Sequence, residues 1–319
     1  MVSPLRPYEQ VFGSEQHTSL GESFDERSYL HTYEHEGYPH RLVITEPKNF
    51  DPSAERIFIH PGWSELVDEG VGLAYHREFA EQMPNAMVIS ITSTGYGQES
   101  QRLGLHELRK TTTKEMAQAS VAITKHYCAD GQSSIHVGTS MGSIITWKKL
   151  AILGSDTTVR HVVLNASAAV PRLRERLPRI GMRFPLSTMV DSTMEAGRMV
   201  LAGRGDELVD ARNSVSLTRH DLRVLAVQGL DIFITNVKKR TIIKAIQTHH
   251  DNGAHFHVIN GRNDPLNVEA LYTNLDARYE NFHYLPIDRK AHGIAVDAKR
   301  NARKAIRSIA ARSDESLAA

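Results

Sequence analysis

The sequence predicts an α/β fold, a mostly parallel sheet covered by helices on both faces, and three observations carry that expectation. Short apolar runs at residues 57–59, 86–91, 135–137, 161–164 and 256–259 read as buried strands, and longer stretches of helical period separate them. Strands alternating with helices imply a parallel sheet with helices on each face. One junction, Ser134-Ile-His-Val-Gly-Thr-Ser-Met-Gly-Ser143, reads as strand, sharp turn and helix with a serine at its apex.

The elements follow in order. Residues 1–24 are polar and aperiodic and read as a surface-draped arm. Segments 28–34 and 41–45, rich in Tyr, Leu, Val and Ile, flank Glu36-Gly37 and predict an opening antiparallel hairpin. The strand at 55–60 runs into His60-Pro61-Gly62-Trp63, and the helix after it places Tyr75, Phe79 and Met83 on one face before Pro84 stops it. Strand 86–91 gives way to Thr92-Ser93-Thr94 and the turn Gly95-Tyr96-Gly97. A helix over 106–127 aligns Met116, Ala119, Ile123 and Tyr127 in one stripe.

After the central strand, turn and helix, and a strand at 161–164, the rhythm breaks. Residues 171–240 hold Pro171, Pro178 and Pro185, five arginines between 172 and 183, and helical stretches carrying Met189, Met194 and Met199. A buried strand is next expected only at 230–235, so 171–240 reads as a mostly helical insertion. The α/β rhythm resumes with strand 256–259, the turn Gly261-Arg-Asn-Asp264-Pro265, helix 268–279 and strand 282–287. A loop with Ala291-His292-Gly293 leads to a last helix that turns Ile306 and Ile309 to the core, and 313–319 is a polar tail.

Composition narrows the function classes. The 319 residues are 40% hydrophobic and 24% charged, ordinary values for a soluble globular chain with a large core. A net charge of +1 gives no strong pull toward nucleic acid or an anionic membrane. The single cysteine, Cys128, excludes an internal disulfide and every cysteine-based zinc signature. Met1-Val-Ser-Pro-Leu-Arg lacks an apolar signal core, and no apolar run is long enough to span a bilayer, so a cytoplasmic protein is expected.

The chemistry centres on the turn serine. A side chain on Gly138 or Gly142 would collide with the neighbouring strand and helix, and the turn pushes the Ser140 hydroxyl out at the sheet end beside the first helical amides. A serine hydroxyl needs a base to take its proton, usually a histidine supported by a buried carboxylate. Ser140, Asp264 and His292 each follow a different strand, in the order serine, aspartate, histidine. Ser143 falls inside the helix and faces packing. Asp264 has a bland reading as a cap for the next helix, Asp288 is a rival four residues before His292, and Asn165 carries no charge.

Together, His60-Pro-Gly-Trp63, Gly95-Tyr-Gly97, Gly138-Thr-Ser-Met-Gly142, Gly261-Arg-Asn-Asp264 and Ala291-His-Gly293 resemble the α/β-hydrolase family across about residues 25–312. The resemblance implies an α/β-hydrolase fold: eight mostly parallel strands, the second antiparallel, helices on both faces, and a helical cap inserted after strand 6, where 171–240 lies. It implies a catalytic triad of Ser140, Asp264 and His292. The oxyanion hole would use the backbone N–H of Met141 and of Trp63, with Ser64 the alternative because Pro61 interrupts the family's usual turn. A haloalkane dehalogenase or epoxide hydrolase would carry an aspartate at position 140.

The expected function is therefore serine hydrolysis of a carboxylic ester or thioester, with no cofactor and a small-molecule acyl substrate. Acyl transfer through the same triad, and ligand binding without turnover, are the alternatives. Met189 and Met194 could line an acyl pocket or pack the cap. His249, His250, His255 and His257 look like a metal cluster, but no acidic ligand sits at zinc-site spacing and the segment leads into a buried strand, so no metal is expected.

Overall fold

A computed structural model describes residues 18–19, 27–49, 51–62, 67–68, 70–92, 95, 104, 107–129, 131–155, 158–167, 200–201, 223–224, 226–228, 230–231, 239–264, 267–288 and 298–316. Trp63, Ser64, Met189, Met194 and His292 lie outside them. The strands are β1 (Thr18–Ser19), β2 (Ser28–His35), β3 (Tyr38–Thr45), β4 (Arg56–His60), β5 (Met87–Ile91), β6 (Ser134–Thr139), β7 (Val159–Asn165), β8 (His255–Gly261) and β9 (Phe282–Ile287). The α-helices are α1 (Gly70–Gln82), α2 (Thr113–Tyr127), α3 (Met141–Leu153), α4 (Lys239–His250), α5 (Glu269–Asp276) and α6 (Ala298–Ser316).

The strands form one sheet in the order β1-β2-β3-β5-β4-β6-β7-β8-β9. The two-residue β1 is an edge addition, antiparallel to β2. The other eight make the expected mostly parallel sheet. β3, the second of them, runs antiparallel to both β2 and β5, and every pairing from β5 through β9 is parallel. The opening hairpin turns on Glu36 (φ 50°) and Gly37 (φ 72°), two successive left-handed residues whose twist matches that of the flanking strands.

Alternation along the strands divides the core. Ile57, Ile59, Ile135, Val137, Val163 and Ile259 meet Tyr75 and Phe79 of α1 and Ala302, Ala305 and Ile309 of α6. On the opposite face Phe58 and Ile89 meet Ile123 and Tyr127 of α2, while Val162, Phe256 and Val258 meet Trp147 and Leu150 of α3 and Ile246 of α4. Burying each such side chain contributes about 1.5–3 kcal/mol, which fixes the strand register and with it the strand ends.

Two expectations change. The helix expected over 106–127 is a 3₁₀ turn, Glu107–Thr111, followed by α2. The break falls at Thr112, whose hydroxyl accepts from the Glu115 N–H at 3.4 Å as the cap of α2. Leu230 and Asp231, expected to open a strand, are helical instead. Leu230 is exposed, and the Asp231 carboxylate accepts from the Thr113 N–H at 2.7 Å and from its hydroxyl, to which Lys148 also donates. A carboxylate at a helix N-terminus satisfies an otherwise orphaned amide, so Asp231 is held by α2, and residues 232–235 of the expected strand lie outside the described residues.

Candidate active site

Ser140 joins β6 to α3 with φ 51° and ψ −113°, a conformation costly for any residue with a side chain. It stands at the N-cap of α3, where a serine normally turns its hydroxyl onto the helix amides, yet it makes no such bond. The turn is held by its backbone. The Ser140 N–H donates to the Asn165 carbonyl at the end of β7 (3.0 Å), and its own carbonyl accepts the Ser143 N–H (3.0 Å) and hydroxyl (2.5 Å). Ser143 is thus a buried brace beneath the turn, as its helical position predicts.

Both flanking glycines are required. A Cβ on Gly138 would lie 2.7 Å from the Gly142 carbonyl oxygen and 2.8 Å from the Ser143 Cα. A Cβ on Gly142 would lie 2.5 Å from the Pro61 carbonyl oxygen and closer still to that of His60. The start of α3 is therefore packed directly on the His60-Pro61 turn that follows β4. His60 anchors that turn: it is buried, and its Nε2 is 2.7 Å from the Ser120 hydroxyl on α2. Burial, assisted by Lys149, holds its imidazole well below the usual histidine range, so it is a neutral support for the turn.

Asp264 follows β8, two strands from Ser140, and is 4% exposed. It does not cap the next helix, because α5 begins at Glu269 with Val268 at its N-cap. Its N–H donates to the Gly261 carbonyl and its carbonyl accepts from the Asn267 N–H, closing a tight turn. Asp288 lies in the open, paired with Arg262 at 3.0 Å. Asn165 is occupied: its side-chain amide donates to the Tyr75 hydroxyl at 2.7 Å. Among the three candidates, Asp264 is the buried carboxylate at a strand end.

A polar network absent from the sequence reading ties the end of β7 to the turn that carries Asp264. The Ala166 N–H donates to the Ile259 carbonyl, and the Ser167 N–H donates to Asn260 Oδ1 at 2.6 Å. Asn260 Nδ2 donates to the Ser167 carbonyl and to Asn267 Oδ1, and Asn267 Nδ2 donates to the Gly261 carbonyl and the Tyr284 hydroxyl. The Ser167 hydroxyl meets the Tyr272 hydroxyl at 2.6 Å and accepts from the Trp147 ring N–H. Asparagines after strands read as turn formers in sequence, and nothing local to them signals this linkage.

Cys128 is buried and its thiol is pushed up to about 11, chiefly by burial, so it is no nucleophile. The histidines adjacent in sequence separate in space. His249 bonds the Leu150 carbonyl between α4 and α3, while His255 and His257 lie on the opposite face of the sheet, which Ile259 shares with α1 and α6. Ser140, Met141 and Asp264 stand at the C-terminal ends of parallel strands, where α/β sheets place their sites.

The strand order, the serine turn and the buried aspartate two strands away decide the architecture. The chain has the α/β-hydrolase fold. Solved structures of that fold agree with it over most of their length. A thioesterase domain from the curacin biosynthetic pathway is 10% identical with TM-score 0.54, covering 88% of this chain and 99% of its own. A haloalkane dehalogenase loop variant from Bradyrhizobium elkanii is 13% identical with TM-score 0.56, covering 90% and 99%. An esterase from Rhodococcus sp. ECU1013 is 15% identical with TM-score 0.55, covering 89% and 98%. No protein-family sequence model and no curated protein sequence matches the chain. Among the described residues no helix is long and apolar enough to cross a membrane.

Proposed function

We propose that this α/β-hydrolase-fold protein is a cofactor-independent serine hydrolase that cleaves a carboxylic ester or thioester of a small-molecule substrate in the cytoplasm. The observation that carries the reading is Ser140 itself: a left-handed serine at a helix N-cap that leaves its own helix uncapped. Backbone strain held in place by two obligatory glycines is hard to explain for a turn serine and expected for a presented nucleophile.

In this reading the Ser140 hydroxyl attacks the acyl carbonyl as His292 takes its proton. The backbone N–H of Met141, first residue of α3, and that of Trp63, with Ser64 the alternative, receive the oxyanion. His292 then protonates the leaving alcohol or thiol. Water, deprotonated by His292, attacks the acyl-enzyme and releases the acid and free Ser140. Asp264 orients the imidazole, and its buried turn supports that role because little solvent screens its charge. Residues 171–240 would form the cap over the site, with Met189 and Met194 lining the acyl pocket.

A panel of p-nitrophenyl esters and acyl thioesters, assayed with wild type and Ser140→Ala, tests the reading. Turnover that yields free acid and disappears in Ser140→Ala supports it. Acyl product formed solely when an alcohol or thiol acceptor is added would make the protein an acyltransferase instead.

A further inference from the structure

The Asp264 turn is clamped by a side chain that the proposed chemistry does not use. Asn267 lies three residues after Asp264, and its N–H donates to the Asp264 carbonyl at 3.0 Å. Its side chain reaches back across the turn. Nδ2 donates to the Gly261 carbonyl at 3.1 Å and to the Tyr284 hydroxyl on β9 at 2.8 Å, while Oδ1 accepts from Asn260 Nδ2 at 3.0 Å. The Gly261 carbonyl also takes the Asp264 N–H, at 3.1 Å, so Asn267 holds both the start of the turn and the residue at its centre.

We propose that Asn267, backed by Asn260, is a positioning residue that sets the place of the Asp264 carboxylate relative to Ser140. The inference rests on the triad reading given above and assigns a role to side chains outside the triad. Direction is the first argument. An asparagine that serves only to form a turn bonds the backbone about two residues further on. The Asn267 amide instead bonds six residues backward and to side chains of β8 and β9, using both of its N–H groups and its oxygen.

The second argument is what Asn260 joins. It is fully buried on β8; its Oδ1 accepts the Ser167 N–H at 2.6 Å, and its Nδ2 donates to the Ser167 carbonyl at 3.1 Å as well as to Asn267. This two-way pairing holds the chain just past Ala166, a buried residue in the left-handed region (φ 47°) whose conformation is costly unless its surroundings enforce it. One residue before Ala166, the Asn165 carbonyl accepts the Ser140 N–H at 3.0 Å. The consecutive residues Asn165, Ala166 and Ser167 therefore connect the serine turn to the aspartate turn through Asn260 and Asn267.

The third argument is precision. A group that orients a catalytic side chain must be held to within about 0.5 Å, and a misplacement of about 1 Å can cost a hundredfold in rate. Main-chain bonds close the Asp264 turn on itself. The Asn267 side chain ties that turn to β9 and, through Asn260, to the end of β7.

The test is a double-mutant cycle in ester or thioester hydrolysis, with Asn267→Ala, Asp264→Asn and the double variant, and thermal unfolding of each. A residue that acts through Asp264 matters only while the carboxylate is present. Asn267→Ala, at a half-buried site, should lower kcat by about ten- to a hundredfold with KM little changed. It should lower kcat by no more than about twofold where Asp264 is already asparagine. The acid limb of kcat/KM should move to lower pH in Asn267→Ala, because a displaced carboxylate supports the protonated base less. Tyr284→Phe removes one bond of the clamp while keeping the ring, and gives the same comparison where Asn267→Ala lowers Tm enough to obscure the kinetics. Asn252→Ala, at an exposed asparagine whose amide bonds the Ser155 carbonyl, should match wild type. No loss, an equal loss in both backgrounds, or an unmoved acid limb would overturn the proposal and leave the triad standing. Absence of wild-type turnover, or turnover that persists in Ser140→Ala, would instead overturn the triad reading and the proposal with it.

Discussion

Gly142 and His60 are in backbone contact: a Cβ on the glycine would penetrate the carbonyl oxygen of His60 and lie 2.5 Å from that of Pro61. The serine turn and the turn after β4, far apart in the chain, are thus one packed unit. Gly142→Ala should push them apart, losing about 1–3 kcal/mol of stability from overpacking. It should also lower kcat by about a hundredfold or more if the amides of that unit hold the oxyanion. Gly131→Ala also strains its backbone, at φ 79°, but its methyl meets nothing within 4 Å, so it is the comparison for activity and should leave kcat unchanged. Thermal unfolding and ester kinetics on both variants check this.

The two aspartates after β8 and β9 should behave differently. Asp264→Asn should reduce kcat by about 10³–10⁴ with little change in KM, the loss expected when a buried carboxylate no longer orients its histidine. Asp288→Asn removes an exposed partner of Arg262 and should stay within about twofold, since surface pairs contribute at most about 1 kcal/mol. Equal losses in the two variants would remove Asp264 from the proposed triad.

Acid should unfold the protein through its buried histidines. His40 is lowered to about 4 and His76 to about 3, and His60 and His136 lie well below the usual value, in each case mainly through burial. Their neutral forms are the ones the fold accommodates, so the unfolded chain binds more protons at acid pH. Their stabilising contribution is full above the unfolded value of about 6.5 and is lost as pH falls from there toward 4 and below, at about 1.4 kcal/mol per histidine per pH unit. Urea midpoints between pH 7.5 and 4.5 should fall steeply below pH 6. His76→Gln should flatten the slope by one proton, because its ring bridges the Thr45 and Ser90 hydroxyls, which an amide can also meet.

Lys149 presents the opposite opportunity. Its amino group is fully buried on α3, 4.4 Å from the centre of the Phe58 ring, with no hydrogen-bond partner among the described residues. Burial pushes its pKa well below the usual lysine value, so the folded state prefers the neutral amine and stability rises with pH toward about 10.5. Lys149→Met should raise stability by about 1–4 kcal/mol at pH 7, and the gain should shrink as pH approaches 10. Unfolding curves at pH 7 and 9.5 measure both effects.

Much of the fold was legible in sequence because both its signals are local. Ile57, Ile135 and Val137 announce strands by apolar runs, and Gly138, Ser140 and Gly142 mark the turn by residue type alone. What escaped the sequence depends on pairing across long separations. Asn260, Asn267 and Ser167 join two strand ends that are 93 residues apart, and each alone looks like a turn residue. His255 and His257 share a face by alternation, but only the β7–β8–β9 register brings His161 and His283 beside them. The start of α2 shifted because Asp231, 118 residues away, helps close its N-terminus.

The central claim is that Ser140 is a nucleophile activated by a histidine, and covalent labelling tests it most directly. The protein is treated with a fluorophosphonate probe, digested, and the modified peptide is sequenced by mass spectrometry, with Ser140→Ala and His292→Ala alongside. Stoichiometric modification at Ser140, absent from the first variant and strongly slowed in the second, is the predicted result. Modification at another serine, or none in protein that unfolds cooperatively, would contradict it.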